Sequence, residues 1–327
     1  MTRYLLSRLG LFVLTLWAAV TVNFIVPRLM PGSPAEAAIA KLARNQTVTP
    51  EMQKAIVAQL GVPNGNLWDQ YVTYLGQVAH LDFGVSYSNF PHSVRDMVLA
   101  ALPWTVVLVG LVTIISYAVG TLLGIFGAWR RGRALDTWAT VGGQFFAAFP
   151  PFWFGMLVLF FLGYVGRVFP TSGSHSPDID VAFSWASVTD IASHAMLPAL
   201  TIFATTVGTW VLTMRNTMIG TLGDDYVTFA EANGLKPRTI ALRYAARNAL
   251  LPNLTQFGLV LGGVIGGSLL VETVFGYPGL GLLLFNAVSN QDFPLMQALF
   301  LMITVAFLVA NLAVDLLYGL LDPRTRS

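Results

Sequence analysis

Apolar residues in this 327-residue chain gather in long charge-free stretches separated by short polar ones. Stretches of at least 19 residues occupy 9–27, 97–129, 137–166, 191–214, 248–271, 273–291 and 293–314. A helix needs about 20 mostly apolar residues to cross a bilayer core. Segment 273–291 differs from the others. It carries Gly276, Pro278, Gly279 and Gly281 in its first half and Asn286, Ser289, Asn290 and Gln291 in its second. This pattern predicts a turn followed by a short helix at or partway into the interface. The remaining six predict an all-α membrane protein with six transmembrane helices. Pro150-Pro151 falls in the middle of the third, where proline breaks the helical hydrogen-bond ladder, so a kink or two half-helices are expected there.

The polar stretches also have structure to predict. Segment 49–63 reads as a helix, with Thr49 as N-cap, Pro50 at the first position and Gly61 beyond the end. Trp68, Tyr71, Tyr74 and Leu75 follow at helical spacing, so the stretch between spans one and two is expected to be a small helical insert. Segment 167–193 is rich in Ser, Pro and Asp and is expected to be irregular. Residues 1–96, the first span with its insert, are one expected unit. Residues 97–327 are the five-helix core.

Composition supports this class. Charged residues are 10% of the chain, against about 25% in soluble proteins. So few charges cannot cover a soluble surface, and the small net charge of +2 gives no basic patch for nucleic acid. With 0 cysteines there is no disulfide framework and no thiolate metal site. Cations then orient the spans. With the N-terminus inside, the inner segments hold 12 of the 18 Lys and Arg: Arg3, Arg8, Arg130, Arg131, Arg133, Arg215, Lys236, Arg238, Arg243, Arg247, Arg324 and Arg326. Both termini are therefore expected in the cytoplasm, in a multi-pass protein of the cell membrane. Arg3 and Arg8 before an apolar run resemble a signal peptide. That run exceeds a signal core of roughly 7–15 residues, and Pro27, Pro31 and Pro34 crowd the cleavage zone, so an uncleaved anchor is expected.

The inner segment 215–250 holds 8 of the 34 charges. Asp224 suits an N-cap and Gly234 a left-handed C-terminal turn, which predicts a helix over about 225–233. Tyr226, Phe229, Ala230 and Asn233 share one face by i, i+3, i+4 spacing. A second helix is expected near Pro237, running into span five. A capped helix with an aromatic face suits docking in a partner's groove. An amphipathic helix resting on the bilayer is the other reading.

The wording of this segment resembles a known family. Asp225-Tyr226-Val227, Ala230-Glu231-Ala232, Gly234-Leu235 and Arg247-Asn248-Ala249-Leu250-Leu251-Pro252 look like the permease loop of binding-protein-dependent ABC importers. The variant is similar to the dipeptide/oligopeptide/nickel branch. Further blocks are Leu81-Asp82-Phe83-Gly84-Val85-Ser86, Val271-Glu272-Thr273-Val274-Phe275-Gly276-Tyr277-Pro278-Gly279-Leu280-Gly281, Gln291-Asp292-Phe293-Pro294, and Asn311 to Tyr318 with Leu321-Asp322-Pro323-Arg324. The resemblance runs end to end and is to the B-type subunit, which has the large insert after span one. The general importer loop begins Glu-Ala-Ala; here those positions are Thr228, Phe229 and Ala230, and Pro252 lies further on, both as is usual for the peptide-type branch.

The resemblance implies a type I permease fold and a channel half, not an enzyme. It implies four kinds of partner: a second homologous permease, two ATPase subunits or one fused pair, an extracytoplasmic solute-binding protein, and the lipid bilayer. It places the coupling contact to the ATPases on Asp225, Tyr226, Phe229, Ala230, Glu231, Ala232, Gly234 and Leu235. ATP and Mg would sit on those partners, with no cofactor on this chain. The sequence agrees, because Lys41, Lys54 and Lys236 are not preceded by glycine and no phosphate-binding Walker A loop is possible. The expected solute is a di- or oligopeptide; an oligosaccharide or nickel is the alternative within the same machinery. A stand-alone secondary carrier is the alternative of another class, and would need coupling-ion carboxylates beside broken helices.

Other residues keep two readings. Glu272, with Tyr277, Pro278 and Gly279, could form an outer gate or solute path, or Glu272 could cap the next segment. Pro150 and Pro151 are also path candidates. The aromatics around them, Phe145, Phe146, Phe149, Phe152, Trp153 and Phe154, suit packing or stacking on a solute. Asp315 is expected to be a structural charge paired with an inner arginine. Asn216 and Asn311 could bridge spans, and Gly262-Gly263 and Gly266-Gly267-Ser268 suit close helix packing. His80, His92, His175 and His194 lack metal-ligand spacing, so no metal is expected.

Overall fold

The computed structural model describes residues 2–29, 49, 66–264 and 269–321, with side chains of 2–8, 27 and 314–321 outside that description. The helix expected over 49–63, the small-residue run at 266–268 and the Asp315 side chain therefore lie outside the described residues. No strand forms among the described residues; one isolated bridge joins Val85 and Ser93.

The chain opens with α1 (Thr2–Leu29), then α2 (Leu67–His80) and α3 (Val94–Trp129). Each later start has a side-chain cap. Asn66 accepts from the Asp69 amide at 2.8 Å, and Ser93 from the Asp96 amide at 3.1 Å. Next come α4 (Ala134–Ala147) and α5 (Pro151–Val158), the latter extended by a π-helical turn over Leu159–Val165. These two halves of the third predicted span meet at 98°. Pro150 and Pro151 lack the N–H groups that would continue the ladder, and Pro151 starts a new helix instead.

The long α6 (Trp185–Leu222) follows, capped by Ser184. It begins before the predicted 191, because the Ser184 hydroxyl accepts from the Ser187 amide at 3.2 Å and starts the helix inside the polar loop. Then come α7 (Asp225–Ala232), a turn at Pro237–Thr239, a π-helical stretch at Ile240–Ala245 and α8 (Ala246–Gly263). The chain closes with α9 (Leu269–Val274), α10 (Leu280–Ser289) and α11 (Phe293–Leu321). The turn and short helix predicted over 273–291 are present as 275–279 and α10.

Among the described residues, four helices are long and apolar enough to cross a membrane, or five if α4 and α5 form one bent span. The fifth predicted span, 248–271, is divided between α8 and α9 by residues outside the description.

Small residues set the packing. Gly120 and Gly124 of α3 let that helix lie against α6. A Cβ at Gly124 would come within 2.7 Å of the Val211 carbonyl oxygen. Further along α6, Gly143 of α4 crosses Gly208, and a Cβ at Gly143 would meet the Gly208 Cα at 2.7 Å. Gly262 of α8 likewise seats against Ala310 of α11. In a membrane the hydrophobic effect does not draw helices together, so such backbone approach carries much of the contact. Among the described residues the bridging asparagines are Asn253 and Asn23 rather than Asn216 and Asn311. Asn253 donates to Thr121 Oγ1 at 3.0 Å, and Asn23 donates to the Gln297 carbonyl at 2.7 Å, fixing α1 on α11.

Candidate functional site

Two built regions lie at opposite ends of the bundle. The first surrounds α7. Asp224 occupies its N-cap position with extended backbone, but its side chain makes no capping bond. Gly234 takes φ +75°, as the end of the helix predicted, and the Leu235 amide closes back on the Ala230 carbonyl at 3.3 Å. Only two of its residues face inward: Val227 at 1% exposure and Ala230 at 3%, against Ile240 and Leu222. The predicted face is therefore corrected. Ala230 turns inward with Val227 and packs on Ile240, whereas Tyr226 and Phe229 are exposed. Phe229 is 72% exposed and Tyr226 37%. The Tyr226 hydroxyl accepts from the Asn248 amide at 2.8 Å, tying α7 to α8. Asp225, Glu231 and Ala232 are exposed as well, and Leu235 borders them.

A part-buried ion pair braces this end. Arg215 of α6 donates through Nε to Asp136 of α4, and through a terminal nitrogen at 3.0 Å. The Gly132 amide donates to the same carboxylate at 2.9 Å. The pair joins the loop after α3, the start of α4 and the end of α6 that leads to α7. Sequence reasoning missed Asp136. Its signal was an isolated acid directly after Arg130, Arg131 and Arg133 in a charge-poor chain.

The second region is a pair of carboxylate clamps. Glu272 is fully buried. It accepts from the Thr105 hydroxyl at 2.9 Å and from the Gly281 and Leu282 amides at 2.7 and 3.3 Å. The Leu280 amide donates to Thr105 Oγ1 at 2.7 Å. Glu272 and Thr105 satisfy the unpaired N–H groups at the start of α10. Gly279 and Gly281 are glycine because a Cβ at either would strike this cluster. Tyr277 is buried too, edge-on to Trp104 at 5.9 Å, and Trp104 stacks on His175 at 6.2 Å.

Asp292, also fully buried, makes the second clamp. It accepts from the Ser86 hydroxyl and from the Ser88 amide and hydroxyl at 2.9 and 2.6 Å. Its other oxygen accepts from the Leu295 amide at 3.3 Å, which caps α11. The loop after α2 is thereby fastened to the core. Burial, followed by the nearby Asp292 charge, pushes the Tyr87 phenol above its usual pKa. Ser86 and Asp292 were read only as parts of separate blocks; spacing along a chain cannot pair residues 206 positions apart.

Pro150 and Pro151 are exposed at the α4–α5 break, amid ring contacts such as Phe149–Trp153 at 5.1 Å. Among the described residues, no group of three His, Cys, Asp or Glu could hold a metal ion.

These features define a polytopic α-helical membrane protein with a short capped helix displayed beyond its bundle. The chain belongs to the binding-protein-dependent transport system inner membrane component family, whose pattern it matches over residues 120–327. It is therefore a permease component of binding-protein-dependent transport and resides in a membrane. Its relatives include the dipeptide transport system permease protein DppB of Escherichia coli (strain K12), 31% identical, with 100% of this chain and 99% of that one covered. The di/tripeptide permease DppB of Pseudomonas aeruginosa is 30% identical over 100% of this chain and 99% of its own. The oligopeptide permease AppB of Bacillus subtilis is 28% identical, with 99% of each chain covered.

Proposed function

We propose that this chain forms half of the transmembrane path of an ABC importer for di- or oligopeptides. The other half is a second homologous permease. An extracytoplasmic binding protein delivers the solute, and ATPase subunits carrying ATP and Mg drive transport. The chain crosses the membrane six times with both termini cytoplasmic, residues 97–327 forming the core and 1–96 the first span with its insert. Segment 215–250 lies on the cytoplasmic side.

The observation that carries this reading is the build of α7. Val227 and Ala230 anchor it, while Asp225, Tyr226, Phe229 and Glu231 face outward. Large aromatics left exposed on a firmly seated helix are what a partner's groove requires. A push on α7 reaches α6 and α4 through the Arg215–Asp136 pair. At the other end Glu272, Tyr277, Pro278 and Gly279 act as a fixed frame that holds α10, moving as a unit with the path. The full-length likeness to named peptide permeases supports the solute class.

The test is ATP-driven dipeptide uptake by the assembled transporter in proteoliposomes. Phe229→Asp should leave the chain folded, since Phe229 makes no part of the core, and should abolish both uptake and co-purification of the ATPases. Normal uptake with Phe229→Asp would refute the docking role, and absence of peptide uptake by the unsubstituted transporter would refute the solute.

A further inference from the structure

The break between α4 and α5 holds an acceptor that no backbone bond among the described residues satisfies. The Ala147 carbonyl would normally bond the N–H of residue 150 or 151, and both are prolines. The amides of Ala148 and Phe149 turn back to Gln144, Phe145 and Phe146 and leave Ala147 aside. Neighbouring contacts fix the depth of this break. Gly143 lies against Gly208 and Gly155 against Thr201, so the break sits opposite 201–208. That is the middle of the charge-free stretch 191–214 of α6.

An unpaired carbonyl at mid-membrane depth is tolerated only where it is buried in protein or lines water. Residues 144 to 148 around it are all exposed, so the break is not packed inside the bundle. Gln144 adds an exposed amide at the same level and shares a helix face with Ala148 at i, i+4 spacing. Neither group suits hydrocarbon. Beside them stands an aromatic platform, with Phe149 stacked on Trp153 at 5.1 Å and Phe145 edge-on to Phe149 at 5.1 Å. A cleft of about 230 Å³ lined by Phe146, Phe203, Ala204 and Val207 opens next to it.

We propose that this break is a contact station for the moving solute. The Ala147 carbonyl and the Gln144 amide accept hydrogen bonds from the amide N–H or terminal ammonium of a short peptide. The Phe149–Trp153 platform receives an apolar side chain. The proposal rests on the peptide-import reading and assigns residues to it.

The chain has 0 cysteines, so a single added cysteine is its one thiol, and the unsubstituted transporter gives the background from its partners. Gln144→Cys and Ala148→Cys are placed in the full transporter, with Leu14→Cys on the exposed face of α1 as the reference. A membrane-impermeant methanethiosulfonate ammonium reagent should modify both about tenfold faster than Leu14→Cys, because water reaches the path and not the lipid face. Saturating alanyl-phenylalanine with the binding protein and ATP should slow both reactions several-fold. Pro151→Ala, which supplies the missing N–H, should raise the peptide KM roughly three- to tenfold, the worth of one hydrogen bond. Reactivity equal to Leu14→Cys, from lipid or a second permease covering the break, would overturn the proposal. So would fast modification with no protection by peptide. Absence of peptide uptake by the unsubstituted transporter defeats the import reading itself, whereas uptake without protection defeats only the contact station.

Discussion

Three acids fix the joints of the bundle, and each does so by using up its acceptor capacity. Glu272 holds α10 on α3 through Thr105. Asp292 holds the loop after α2 on α11. Asp136 holds α4 on α6 through Arg215. Breaking a buried pair by removing one partner costs more than removing both, because a charge is left stranded. Asp136→Asn should therefore cost about 1–3 kcal/mol, the range for hydrogen bonds to a charged group, and Asp136→Asn with Arg215→Gln less than the sum of the single changes. Thermal unfolding of the detergent-purified chain measures both, and strict additivity would show that the pair is not coupled. Glu272→Ala should cost about 2–3 kcal/mol through three lost hydrogen bonds, by the same assay. At this scale the sequence was half legible. Glu272 stood out as an acid at the edge of a span, and capping was one of its two readings. Asp292, Thr105 and Asp136 were not paired in advance, because their partners lie 79 to 206 positions away.

At the scale of elements, glycine and proline decide where helices touch and where they break. The α4–α6 crossing depends on Gly143 and Gly208 having no side chains. Gly208→Ala should separate the two helices and lower the melting temperature by several degrees, as expected for overpacking of about 1–3 kcal/mol. Gly220→Ala, on the same helix with nothing within 4 Å, is the control and should be neutral or stabilising. Equal effects at both positions would remove the close-approach argument. The ends of these elements were well marked in the sequence. Pro150-Pro151 announced the break, Gly234 the end of α7, and the Gly–Pro run the turn before α10. The side to which α7 turns Ala230 was not marked. Spacing groups residues on a face, but a helix of 8 residues has too short a stripe to show which face is buried.

At the scale of the whole molecule, scarcity of charge defines the class, and its distribution separates the two ends. Segment 215–250, with its eight charges, presents Phe229 and Tyr226 beyond the bundle. The clamps of Glu272 and Asp292 stiffen the opposite end. A rigid far frame and a displayed near helix suit a machine pushed from one side. Low charge could be read from composition alone, whereas the clamps that make the far end rigid needed the fold. The central claim is that α7 is where the ATPase subunits engage. With no native cysteine in this chain, Phe229→Cys gives it one thiol in the assembled transporter, and Val72→Cys, exposed on α2 at the other end, gives its reference. A short bifunctional thiol-to-amine cross-linker should join position 229 to an ATPase subunit and leave position 72 unjoined to it. Failure of position 229 to cross-link, or equal yields from both positions, would contradict the account.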